Sequence, residues 1–166
     1  MHETVKILLV DNEPGGLLAL EAVLEPLGQK LITARSGQEA LRQLLAHDFA
    51  LILLDIQMPE LDGFQTAALI RERERSRNTP IIFLTASYES DVQVSRGYAV
   101  GAVDYVFKPL QPEILRSKVS VFVELARTTE VVRKQAAQLE RIPKARKKVY
   151  LRHRNRLALL RTRRID

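Results

Sequence analysis

Residues 51–63 read LILLDIQMPELDG. Four aliphatic side chains run straight into Asp55. Met58-Pro59 and Asp62-Gly63 then supply turn chemistry. A run this short and continuous fits a strand buried on both faces, as inside a parallel sheet. A carboxylate at the tip of such a strand is costly to desolvate unless its charge has a use. Asp55 therefore marks both a strand end and a candidate site.

Four similar runs surround it: VKILLV (5–10), KLITA (30–34), PIIFLT (80–85) and VDYVF (103–107), with the central run itself at 50–54. Helical patterns fill the gaps between them. Leu17, Leu20, Val23 and Leu24 precede Gly28, a C-terminal stop. Ser36, three residues before Glu39, predicts a capping box and a helix to about Ala46. A third helix is expected from Phe64 to about Ser76. A weaker one runs from Ser87 or Glu89 to about Val100, ending near Gly101. Pro112 suits the first turn of the last helix. Five alternations of strand and helix predict a doubly wound α/β fold: five parallel strands, five helices and right-handed crossovers.

In a parallel sheet all strand C-termini meet at one edge, where open α/β folds bind ligands. The residues after the strands are Asp11, Asn12 and Glu13, then Asp55, then Thr85 and Ala86, then Lys108 and Pro109. Two carboxylates, a hydroxyl and an ammonium should converge there. Taken singly, each acid reads as a helix or turn cap, Thr85 as an ordinary strand residue and Lys108 as a solvated lysine. Their joint placement is the specific signal.

The stretches ILLVDNEP, LILLDIQMPELDG, PIIFLTA and DYVFKP resemble the receiver domain of two-component response regulators, over about residues 5–125. The resemblance implies a flavodoxin-like sheet of order 2-1-3-4-5. It implies that Asp55 accepts a phosphoryl group from a histidine kinase, with Lys108 and Thr85 contacting the phosphoryl oxygens. It implies Mg²⁺ held by Asp11, Asn12, Asp55 and the Gln57 backbone carbonyl, and a cis Lys108–Pro109 bond. Oxygen ligands and charge compensation suit phosphoryl transfer. Asn12 departs from the usual second acid, so weaker Mg²⁺ binding is expected. Glu13 is expected to face away. Tyr105 occupies the switch position. On phosphorylation Thr85 should be drawn in and Tyr105 should rotate inward, reshaping the face formed by the fourth helix, fifth strand and fifth helix, where a downstream protein would dock. Gln57 and Ser87 stand where phosphate lifetime is tuned.

Composition bounds the rest. The chain has 166 residues, is 46% hydrophobic and has no cysteine, which removes disulfides and thiolate metal sites. No signal peptide or membrane span is read, and a soluble cytoplasmic protein is expected. His2, His47 and His153 read as surface residues, and Gly15-Gly16 has no functional account. Charge is split. Residues 141–166 hold 11 Lys+Arg and one acid, for +10, whereas residues 1–140 sum to −4. The expected organisation is a receiver over 1–125, a helical extension over 126–142 and a basic tail over 143–166.

No glycine or proline interrupts 113–141. Phe122, Leu125, Thr129, Val132, Ala136 and Leu139 step by alternating threes and fours, a coiled-coil period that predicts a homodimer seam. The tail has one aromatic, Tyr150, and is too short for a helix-turn-helix domain. A DNA-binding regulator using this tail is the alternative reading. A metal-dependent phosphatase of similar topology is another. That chemistry calls for a second acid two residues after the nucleophile, and Gln57 stands there.

Overall fold

The computed structural model describes residues 3–86, 95–96, 98–143 and 152. It consists of two units, Met1–Arg127 and Thr128–Asp166. In the first, strands β1 (Lys6–Val10), β2 (Lys30–Ala34), β3 (Leu51–Asp55), β4 (Ile81–Thr85) and β5 (Asp104–Phe107) form one parallel sheet of order β2-β1-β3-β4-β5. This is the order the resemblance implied, and each strand lies within one residue of its apolar run.

The continuous apolar runs resolve into two alternating sets, because successive strand side chains point to opposite faces. Leu8, Val10, Ile52, Leu54, Ile81 and Phe83 pack on one face with Leu41, Leu44, Phe64, Ala67 and Ile70. Ile7, Leu9, Leu51, Leu53, Ile82 and Leu84 pack on the other with Leu17, Leu20, Leu24, Leu115, Val119 and Val123. The first partner set lies on helices α2 (Gly37–Ala46) and α3 (Gly63–Glu72). The second lies on α1 (Pro14–Leu24) and α4 (Pro112–Arg141). Strands β3 and β4 are buried along their whole length.

Local signals place the helix ends. Pro14 opens α1, which passes into a 3₁₀ turn (Glu25–Leu27) before Gly28 takes a left-handed φ of 68°. The Ser36 hydroxyl accepts from Glu39 N, but the Glu39 carboxylate reaches past the cap to Arg35 N. Asp62 and Gln65 close a full capping box on α3. That helix begins at Gly63 and stops at Glu72, not Ser76. Arg73 leaves the helical region with ψ of 127°, and the buried Ser76 hydroxyl bonds back to Ile70 O at 2.7 Å.

Four α-helices and one 3₁₀ helix are thus defined among the described residues. The fifth helix expected from the sequence, beginning at Ser87 or Glu89, lies mostly outside them. Within it, residues 95–96 and 98–99 are helical, and Gly101 follows with φ of 84°. His47 is partly exposed, with Nδ1 3.1 Å from Lys6 Nζ; His2 and His153 lie outside the described residues.

Helix α4 covers 30 residues, as the uninterrupted pattern predicted. Leu115, Val119 and Val123 bury one stripe in the first unit's core, and Phe122 packs partly against the same core. From Thr128 to Ile142 the side chains are exposed, apart from partly buried Glu130, Leu139 and Ile142. No helix among the described residues is long and apolar enough to cross a membrane. In the basic tail, only Pro143 and Arg152 are described.

Candidate functional site

Parallel pairing brings the ends of β1, β3, β4 and β5 to one sheet edge. Asp11 follows β1 and is fully buried, its N–H donating to Ala34 O at 3.1 Å. Asp55 closes β3 and is 6% exposed; Thr85 closes β4 and is 1% exposed. The Lys108 N–H donates to Thr85 O at 2.7 Å, and the Lys108–Pro109 peptide is cis.

Lys108 joins the two acids. Its Nζ donates to Asp11 Oδ2 at 3.1 Å and to Asp55 Oδ2 at 3.3 Å. The second oxygen of each carboxylate is also held. Asp11 Oδ1 accepts from Glu13 N at 2.9 Å, and Asp55 Oδ1 accepts from Gln57 N at 3.2 Å. One ammonium serves two carboxylates, so the cluster is short of positive charge.

Burial is the largest influence on Asp55 and raises its pKa above the ordinary value. Lys108 pulls the other way, Asp11 adds to the rise, and the Gln57 N–H partly offsets it. For Lys108, burial alone would lower the pKa. The charge of Asp55, then the bond to and charge of Asp11, outweigh burial and leave it raised.

Asn12 is half-buried beside Asp11, and Gln57 is exposed at the rim. Among the described residues, no group of three or more His, Asp or Glu side chains is placed to hold a metal ion. The oxygen donors expected from the sequence are the carboxylates of Asp11 and Asp55, the Asn12 amide and the Gln57 carbonyl. That all-oxygen set suits a hard divalent cation that keeps several waters. A groove of about 430 Å³ adjoins Lys108, lined in part by Tyr105, Phe107, Gln111, Ile114 and Lys118. Lys118 also pairs with Asp104.

Tyr105 is buried at 8% exposure, its ring centroid 5.6 Å from Phe83 and 5.4 Å from Tyr98. One expectation needs correction. Asp62-Gly63 is more than turn chemistry. A Cβ on Gly63 would fall 2.4 Å from Asp55 O and 2.7 Å from Ile56 Cα, so α3 starts hard against the backbone that carries Asp55. The sequence carried a signal for this, a glycine inside an otherwise well-capped helix start. Ser87 lies outside the described residues.

A response regulator receiver domain model matches residues 7–120. The chain belongs to the response regulator receiver family. It is 36% identical over 135 residues to a probable cyclic di-GMP phosphodiesterase of Vibrio cholerae, covering 81% of this chain and 30% of that protein. It is 33% identical over 143 residues to response regulator Rre1 of a Synechocystis strain, covering 86% and 62%. This receiver therefore spans less than two thirds of the length of either curated relative. Among solved structures it resembles the receiver domain of sensor histidine kinase PA1611 from Pseudomonas aeruginosa, described with a magnesium ion coordinated in its active site cleft. That match has a TM-score of 0.67 and 30% identity, and covers 74% of this chain and 99% of that one.

Proposed function

We propose that this receiver accepts a phosphoryl group on Asp55 from the phosphohistidine of a histidine kinase. The observation that carries the reading is the shared ammonium: Lys108 within hydrogen-bonding distance of both Asp11 and Asp55. An Asp55 oxygen attacks phosphorus, the P–N bond breaks and its electron pair returns to the imidazole. Asp55 ends as an acyl phosphate. Lys108 shifts its bonds toward the incoming phosphoryl oxygens, and the Thr85 hydroxyl donates to another. These residues act by position and charge, which is most of phosphoryl-transfer catalysis. Asp11, Asn12, Asp55 and the Gln57 carbonyl would hold Mg²⁺, which when bound supplies the positive charge that one lysine cannot. The reading is of a phosphoacceptor, with catalysis limited to its own phosphorylation and dephosphorylation.

Output is read as protein–protein. Phosphorylation biases the β4–β5 end through Thr85, Phe83 and Tyr105, and the face beside Tyr98 and Tyr105 changes its population of packings. Tyr98 is half-exposed over the buried Tyr105 and is the ring that can exchange this contact for solvent. A downstream protein docks on that face, and Gln57 and Ser87 set the lifetime of the phosphate. A homodimer through the row Leu125, Thr129, Val132, Ala136 and Leu139 fits a helix on which Leu125, Thr129, Val132 and Ala136 are exposed and Leu139 is partly buried.

Acetyl phosphate with Mg²⁺ tests the reading. Intact-mass measurement should show one added phosphoryl group, labile to hydroxylamine and absent in Asp55→Asn. An unmodified wild-type chain, with no spectral change on adding beryllofluoride, would sink the proposal.

A further inference from the structure

We propose that Gly16 is a positioning residue for Asp11. The bare first turn of α1 is the space into which the Asp11 carboxylate folds in order to meet Lys108. The inference rests on the phosphoacceptor reading for its consequence, but not for its geometry.

A Cβ built on Gly16 would lie 2.1 Å from Asp11 Oδ2, 2.7 Å from its Cγ and 3.3 Å from Oδ1. Oδ2 is the oxygen that accepts from Lys108 Nζ. Neither side of this contact yields easily. Asp11 is fully buried and held by Ala34 O, Glu13 N and Lys108. The start of α1 is held by the Leu17 N–H on Glu13 O at 3.2 Å and by the buried side chains of Leu17 and Leu20. A methyl group at position 16 must turn the carboxylate off Lys108 or lift the helix start.

Backbone conformation does not explain the glycine. Gly28 and Gly101 take positive φ among the described residues; Gly16 does not. Helix propensity argues against it, since glycine is the poorest helix former after proline. Close approach is the remaining reason for a glycine. Gly15 supplies the contrast, because a Cβ there meets nothing within 4 Å. The two adjacent glycines therefore separate a steric effect on Asp11 from the ordinary effect of alanine in a first turn.

The placement matters more here than in a pocket with three acids. Asn12 is neutral, so Asp11 and Asp55 are the two buried carboxylates at this edge. Moving one of two charged ligands off its bonds misplaces half of the anionic donor set.

The test compares full-length Gly15→Ala and Gly16→Ala. Calorimetric titration with Mg²⁺ should find Gly15→Ala within about twofold of the unsubstituted chain and Gly16→Ala roughly tenfold or more weaker, the size typical when a ligand's support is removed. An affinity for Gly16→Ala that is unchanged or tighter overturns the proposal. A thermal double-mutant cycle tests the contact without any ligand. Gly16→Ala should lower Tm in the native background, and leave it unchanged or raise it in an Asp11→Ala background, where no carboxylate meets the methyl. Equal losses in both backgrounds overturn the proposal. Should Gly16→Ala alone not fold, recovery of folding in the double variant supports the contact, and failure to recover overturns it. If the unsubstituted chain binds neither Mg²⁺ nor beryllofluoride while the cycle behaves as expected, the phosphoacceptor reading fails and the positioning role stands.

Discussion

A buried carboxylate whose pKa is raised by its surroundings is a group the fold would rather keep protonated. Asp55 is such a group. Its ionised form is less welcome in the folded chain than in the unfolded one. The resulting loss of stability is absent at low pH and develops as pH rises from the ordinary value of 3.8 through the raised one. Asp55→Asn should therefore unfold at higher temperature than the native chain at neutral pH, by a few degrees, the scale of ~1 kcal/mol in a domain of this size. The advantage should fade as pH falls toward 4, measured by calorimetry across that range. Equal Tm values at pH 7 would refute the charge argument. Asn12 makes the opposite case, a place where added charge helps a ligand. Asn12→Asp should bind Mg²⁺ more tightly by about tenfold or more, each tenfold being 1.4 kcal/mol. Titration calorimetry decides it, and equal affinities would count against Asn12 facing the cation.

Helix ends and the loops between elements carry the next level of stability. The Arg71 guanidinium, half-buried at the end of α3, donates to the carbonyls of Val100, Ser76, Arg77, Thr79 and Gly101, at 2.7 to 3.4 Å. It ties the turns after α3 to the segment before β5. Burial lowers its pKa. Arg71→Met keeps much of the apolar stem but strips those carbonyls of their donor. A loss of about 2–3 kcal/mol is expected, the cost of leaving several polar groups unpaired. Urea unfolding should show a lower midpoint with an unchanged slope. Close approaches without side chains do similar work. A Cβ on Gly37 would sit 2.2 Å from Thr66 Oγ1, so α2 meets α3 through a glycine much as α3 meets β3 through Gly63.

At the scale of the whole chain, the proposed dimer places assembly on α4. Leu125 and Val132, seven residues apart, are 55% and 59% exposed on a helix of 30 residues. Isolated apolar residues on a surface are ordinary, but a row at coiled-coil spacing is the pattern of a helix–helix seam. Sedimentation velocity should find the full chain dimeric at micromolar concentration and a chain ending at Arg127 monomeric. A truncated chain that dimerises as tightly would dismiss the seam. In the proposed dimer Thr129 and Ala136 weaken the seam, which would let phosphorylation shift its equilibrium.

Sequence alone determined the order and type of the elements, because short continuous apolar runs alternating with periodic ones have few ways to bury both kinds of face. It also named Asp11, Asp55, Thr85 and Lys108 as neighbours, because parallel strands must present their C-termini at one edge. It did not reveal what depends on distances between elements far apart in the chain. That one lysine binds both carboxylates, that Tyr105 is already buried between Phe83 and Tyr98, and that Gly16 and Gly63 are bare because Asp11 and the Asp55 backbone need the room all come from packing. The physical reason is that hydrophobic periodicity is written residue by residue along the chain. Steric clearance and shared charge exist only once the chain has closed on itself.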